Sequence, residues 1–113
     1  MQKVEIVRGR SLTLDISVID VYGNAYELTD GQTLVFGVKR NPDDEELLIR
    51  KLVTSGTEGI YRVTLVPTDT ESLEPGRYEY DVGLADGTAY HCVIEPNPFI
   101  VKANVTKRGD ANG

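Results

Sequence analysis

The chain has 113 residues, 18 acidic and 12 basic, with a net charge of -6 and one cysteine, Cys92. A chain of this length is one domain's worth of material and buries roughly 65% of its unfolded surface, enough for a core without metal or disulfide. The acidic balance excludes the basic footprint of a nucleic-acid binder and disfavours anionic membranes, and the lone cysteine excludes an intrachain disulfide.

Met1-Gln-Lys-Val-Glu runs straight into alternating residues, so a first strand is expected over Lys3 to Arg8, with no signal peptide at the start. Gly9 ends it. Ser11 to Asp20 alternates most cleanly, with Leu12, Leu14, Ile16 and Val18 on one face and Thr13, Asp15 and Ser17 on the other. Gly23-Asn24 turns the chain, Ala25 to Leu28 reads as a short extended piece, and Thr29-Asp30-Gly31 turns it again. Gln32 to Arg40 returns with Leu34, Phe36 and Val38 on one face, and Asn41 to Asp44 is a loop.

Glu46 to Thr54 fits a helix or a strand by pattern; its length and its strand-like flanks favour a strand. Tyr61, Val63 and Leu65 point inward on the next one. Thr68 and Glu71 have the spacing of a capping box, so a single helical turn is expected before Pro75-Gly76. Tyr78, Tyr80, Val82 and Leu84 then alternate with Arg77, Glu79, Asp81 and Gly83. Asp86-Gly87 reads as the centre of a type I′ hairpin, and Tyr90, Cys92 and Ile94 alternate back. Pro96-Asn97-Pro98 is expected to separate that hairpin from a last strand carrying Phe99, Val101, Ala103 and Val105. Cys92, flanked by apolar residues, is expected to be a small buried hydrophobe. Lys107 to Gly113 is polar and glycine-containing, and is expected to be a flexible tail beyond a single domain over residues 1–106.

About eight short strands with regularly spaced turns predict an all-β chain, a sandwich or a barrel. A tyrosine after a Pro-Gly turn favours the sandwich: Gly76-Arg77-Tyr78 resembles the tyrosine corner of immunoglobulin-like domains. The predicted architecture is an immunoglobulin-like antiparallel β-sandwich with one short helical turn.

Catalytic chemistry finds little to stand on. His91 is the only histidine, so it would have to be any nucleophile's base, and its neighbour Cys92 points to the opposite face of a strand. Asp43-Asp44-Glu45-Glu46 gathers carboxylates but lacks the alternation and the turn glycine of a calcium loop. One Cys and one His exclude a zinc site. Asp15, Glu79 and Asp81 lie on outward strand faces without a spacing that selects a glycosidase pair. No catalytic, metal or cofactor residue is assigned, and no cofactor is implied. Arg108-Gly109-Asp110 is an integrin-type tripeptide too short to weigh. Two surface groups remain. Lys39, Arg50, Lys51 and Arg62 against Asp43, Asp44, Glu45 and Glu46 would suit head-to-tail packing of copies. Tyr22 and Tyr26, near a turn, would form a platform for a sugar or a protein.

Several segments together carry a resemblance: Arg8-Gly9-Arg10-Ser11-Leu12-Thr13-Leu14, Asp20-Val-Tyr-Gly23-Asn-Ala-Tyr-Glu-Leu28-Thr29, Gly59-Ile-Tyr-Arg-Val-Thr-Leu65, Pro75-Gly-Arg-Tyr-Glu-Tyr-Asp-Val82 and Pro98-Phe-Ile-Val-Lys-Ala-Asn-Val-Thr106. The chain resembles the small immunoglobulin-like domains of tailed-phage and prophage structural proteins, notably the N-terminal domain of baseplate upper proteins. That resemblance implies a non-enzymatic structural protein of a virion tail or baseplate, made in the bacterial host cytoplasm. Its partners would be other virion proteins and further copies of itself, with no nucleic acid and no membrane. The first and last strands, Lys3 to Arg8 and Phe99 to Thr106, are the expected sheet edges. The alternative is a carbohydrate- or cell-surface-binding sandwich module using Tyr22 and Tyr26.

Overall fold

A computed structural model describes residues 3–105. It has seven strands: β1 (Val4–Val7), β2 (Leu12–Ser17), β3 (Gln32–Lys39), β4 (Ile49–Val53), β5 (Ile60–Leu65), β6 (Gly76–Asp86) and β7 (Ala89–Lys102); one helical turn, α1 (Pro67–Thr70), precedes β6. They form a five-stranded sheet in the order β1-β7-β6-β3-β4 and a two-stranded sheet of β2 and β5. This is a β-sandwich, with β7, β6 and β3 as the central trio of the larger sheet. The expected sandwich is present, with two differences. Ala25 to Leu28 is not a strand; its one β-bridge, Ile19–Ala25, lies outside the seven strands. β1 runs parallel to β7, while every other pairing is antiparallel.

The alternating residues meet between the sheets. Leu34, Phe36, Val38, Tyr80, Val82, Phe99 and Val101 from the larger sheet bury against Ile16, Tyr61, Val63 and Leu65 from the smaller. Phe36 stacks on Tyr80 at 5.5 Å between centroids, and Phe99 meets both rings edge-on at 6.4 and 6.5 Å. Such geometry adds about 0.5–1.5 kcal/mol per pair beyond burial. Tyr61 buries a phenol that is satisfied twice: its hydroxyl donates to the Tyr26 carbonyl at 2.6 Å and accepts from the Leu28 amide at 2.9 Å. One side chain therefore pins the irregular 26–28 segment to the core.

The tyrosine corner is realised. The Tyr78 hydroxyl donates to the Glu74 carbonyl at 2.7 Å, and the Arg40 guanidinium sits 4.8 Å over its ring. The helical turn just before it starts differently from the expected Thr68–Glu71 box. Pro67 occupies its first position, and the Asp69 carboxylate reaches back to the Val66 amide at 2.8 Å. Proline's preset φ and missing donor suit a first helical position, which moves the start upstream of Thr68. Thr70, fully buried, accepts the Gly9 amide at 2.9 Å and ties the helical turn to the end of β1. The Glu46 to Thr54 ambiguity resolves as a strand, β4.

The largest departure lies in β7. Pro96 to Pro98 does not separate two strands; β7 runs unbroken for 14 residues. Two register shifts against β6, between Tyr80 and Val82 and between Val82 and Gly83, absorb extra residues on β7. Proline is tolerated in strands at bulges and along edges, and β7 supplies both conditions here. The hairpin turn is also displaced by one residue. Asp86 pairs with Ala89, and Gly87 alone takes positive φ, so Gly87-Thr88 forms a loop of the II′ pattern.

Candidate functional site

The two faces of the five-stranded sheet differ because only one meets the second sheet. On the outer face, pairing aligns Arg50, Gly37 and Asp81 in one row across β4, β3 and β6. The next row places Leu52, Val35, Gly83 and Cys92 together, and the next joins Thr33, Ala85 and Tyr90. Glycine at Gly37 and Gly83 lets side chains lie flat on the sheet. The Tyr90 ring covers Gly83 so closely that a Cβ there would sit 2.0 Å from its hydroxyl, and Leu47 covers Gly37 at 2.8 Å. Aromatic cover of a strand glycine is a known way to shield its backbone.

Beside the Leu47 cover, a cleft of about 100 Å³ is lined by Gly37, Lys39, Leu47, Asp81 and Pro96 among others. Partial burial raises the Asp81 carboxyl above the ordinary carboxylate range, and Lys39 opposes the rise. The Tyr90 phenol is raised by loss of water contact and then by Asp81, and Arg50 opposes it. Cys92 is exposed, which corrects the expected buried hydrophobe. Its thiol is pushed up by loss of water contact and then by Asp81 and Glu95, which disfavours the thiolate. Apolar neighbours in sequence misled because the bulge after Cys92 breaks the alternation: Ile94 pairs with Val82 on the core side, while Cys92 pairs with Gly83 on the outer side.

A second, larger cleft of about 470 Å³ lies between the 17–21 segment, Tyr26, and Leu84, Cys92 and Val93 of the hairpin. Its lip is rigid. Asp20 accepts the amides of Tyr22 and Asn24 at 2.8 and 3.0 Å, and the Ile19–Ala25 bridge closes the loop. Ile19, Val21 and Tyr22 stand 63%, 92% and 85% exposed on it, an apolar lip in an acidic chain. The expected Tyr22–Tyr26 platform is not assembled: Tyr26 packs against the core edge, and its hydroxyl donates to Gln32 at 2.9 Å. Ile19 and Val21 are the missed members; both sit in the turn that Gly23-Asn24 marked.

The charged groups also separate. Lys39 and Arg50 lie on the outer face. Lys51 pairs with Asp69 of α1 at 2.9 Å, and Arg62 pairs with Asp15 at 3.0 Å on the other sheet. Asp43, Asp44, Glu45 and Glu46 are exposed, and among the described residues no ion pair joins them to these four cations. Asp15 stands on a different sheet from Glu79 and Asp81. Among the described residues no three of His, Cys, Asp and Glu group so as to hold a metal ion, and no helix is long and apolar enough to cross a membrane. Arg108-Gly109-Asp110 and the expected tail lie outside the described residues.

The sheet edges complete the site. β1 is an edge as expected, but the Phe99 to Lys102 end of β7 is interior, enclosed by β1 and β6. The opposite half is open: β1 pairs only with residues from Phe99 onward, so Ala89 to Pro98 has no strand on its other side among the described residues. Ala89, Tyr90, His91 and Cys92 are all exposed there. The arrangement offers unpaired backbone donors and acceptors beside an apolar cleft, a means of binding an extended chain. No protein-family model matches this chain, and no curated protein sequence matches it.

Proposed function

We propose that this chain is a non-enzymatic structural domain of a tailed-phage or prophage particle, in the tail or baseplate, acting through protein–protein interfaces. The observation that carries the reading is the open half of β7, a strand edge left unpaired among the described residues of a well-pinned sandwich. A rigid module with an exposed edge gains by assembly, and repetition in a symmetric particle multiplies weak contacts through effective concentration. The resemblance to baseplate upper proteins supports it. Its matching segments fall on the start of β2, on β5, on the start of β6 and on the Phe99 end of β7, and one, Asp20 to Thr29, lies in the loop between β2 and β3. The test is to tag the chain in its native cells, induce particle release, and purify the particles. Stoichiometric recovery of the chain at the tail end, seen by immunogold labelling, supports the proposal; absence from purified particles overturns it.

A second reading has its own observation. The exposed Val21 and Tyr22 beside the larger cleft suit a sugar or cell-surface ligand. Glycan-array binding that is lost in Tyr22→Ala would favour this module over the structural domain.

A further inference from the structure

We infer that the partner of the open β7 edge is a second copy of this chain, paired antiparallel about His91 so that two five-stranded sheets become one continuous sheet. This deepens the structural reading above and rests on its claim that the edge is an interface.

The contrast among the free edges carries the inference. Natural sheets guard open edges with charge. β4 carries Arg50 and Lys51, β1 carries Glu5, β2 carries Asp15 and β5 carries Arg62. On the open half of β7, Glu95, Pro96, Pro98 and the bulges guard only the far end; Gly87 to Ile94 carries no Asp, Glu, Lys or Arg, in a chain where 27% of residues are charged. A chain of net charge -6 carries a general repulsion between its own copies. Along this stretch, self-pairing brings no like charges face to face. A hetero-partner needs no such neutrality, because opposite charge would serve it better.

Symmetry then selects the register. A two-fold axis normal to the sheet preserves its faces, and directly paired residues share a face. The axis must therefore pass beside one residue that pairs with its own copy. Regular pairing with β6 runs from Ala89 to Cys92, and the shift occurs at Val93. The open stretch from Ala89, just after the hairpin turn, to Val93, the bulged residue, is centred on His91. Centring there places Tyr90 opposite Cys92 of the other copy, both on the outer face, and Ala89 opposite Val93. The apolar cleft that reaches Cys92 and Val93 then lies against the neighbouring hairpin.

The test uses the full chain and light scattering after size exclusion, across a concentration series. The expected result is a mass of twice 12.5 kDa at high concentration, falling to the single-chain value on dilution. His91→Glu sets two carboxylates face to face on the axis and raises the dissociation constant by roughly a hundredfold. Leu52→Lys on the opposite edge leaves it unchanged. His91→Cys combined with Cys92→Ser forms an interchain disulfide under mild oxidation, whereas Cys92→Ser alone cannot. Circular dichroism and Tm report that each variant is folded; His91 and Leu52 are exposed, so both substitutions spare the core. A strict monomer at every concentration overturns the inference and leaves the structural reading to a different partner. A ring or dimer that survives His91→Glu also overturns it, while retaining assembly through another surface. Loss of the chain from particles without loss of the dimer would instead sink the structural reading alone.

Discussion

The inner and outer faces of the five-stranded sheet are built from the same strands yet hold opposite chemistry. Inward, Leu34, Phe36, Val38, Tyr80 and Val82 are 1% exposed or less. Outward, the alternate positions of β3 and β6 are Val35, Gly37, Glu79, Asp81 and Gly83, with Tyr90 laid over one glycine and Leu47 over the other. Period-two alternation separates a fold-making face from one that is free to vary. Among the described residues the outer face meets no second sheet, and it stays open along with the hairpin edge.

Core truncation should show the difference most strongly. Phe36→Ala removes the ring that touches both Tyr80 and Phe99, and should cost about 3–5 kcal/mol in a denaturant titration. Leu52→Ala on the outer face should stay within about 0.5 kcal/mol. Equal losses would erase the distinction between the faces. Tyr61→Phe keeps the ring but orphans the Tyr26 carbonyl and the Leu28 amide. It should cost about 2 kcal/mol and speed amide exchange at Leu28 before the rest of the core.

Gly83→Ala sharpens the comparison. The atoms its Cβ would meet most closely belong to the far end of the Tyr90 side chain, which is 59% exposed and able to swing away. The loss should stay below about 1 kcal/mol and vanish in a Tyr90→Ala background, a coupling that a double-mutant cycle measures.

Two pH effects of opposite sign should be the smallest. Asp81 has a folded pKa raised by burial, so its ionisation costs stability, and that cost appears as pH rises through the unfolded value of about 3.8. Asp81→Asn should therefore raise Tm near neutral pH and leave it unchanged in strong acid. Glu5, between Lys102 and Lys3 on the outer face of β1, is lowered from 4.5 to about 2 by those two ammonium groups. Its contribution is full above about 4.5 and lost as pH falls toward 2, so Glu5→Gln should lower Tm slightly at neutral pH. Added salt should shrink that loss.

Legibility in the sequence follows the same division. Alternating apolar residues marked Phe36, Tyr61, Val63, Tyr78, Tyr80 and Val82 as inward, because burial against a second sheet leaves a period-two record. Pro75-Gly76 followed by Tyr78 marked the corner that its hydroxyl now makes. The open edge was not legible. It depends on where β1 stops pairing and where β7 bulges, and neither leaves a local pattern. Pro96 and Pro98 read as a break because proline in a strand is normal only at a bulge or an edge, and both conditions are tertiary. Cys92 read as buried for the same reason: the displaced turn and the bulge set its face, while its neighbours Tyr90 and Ile94 suggested otherwise. Gly87-Thr88 in place of Asp86-Gly87 is a one-residue choice between turn types that both accept glycine.

The most direct test of the open edge is amide hydrogen exchange of the full chain at two concentrations, one below and one above the onset of association. The account predicts that amides within Ala89 to Val93 slow markedly at the higher concentration, while those of β4, on the opposite edge, do not change. Equal exchange across Ala89 to Val93 at both concentrations, with association confirmed by mass, would contradict it.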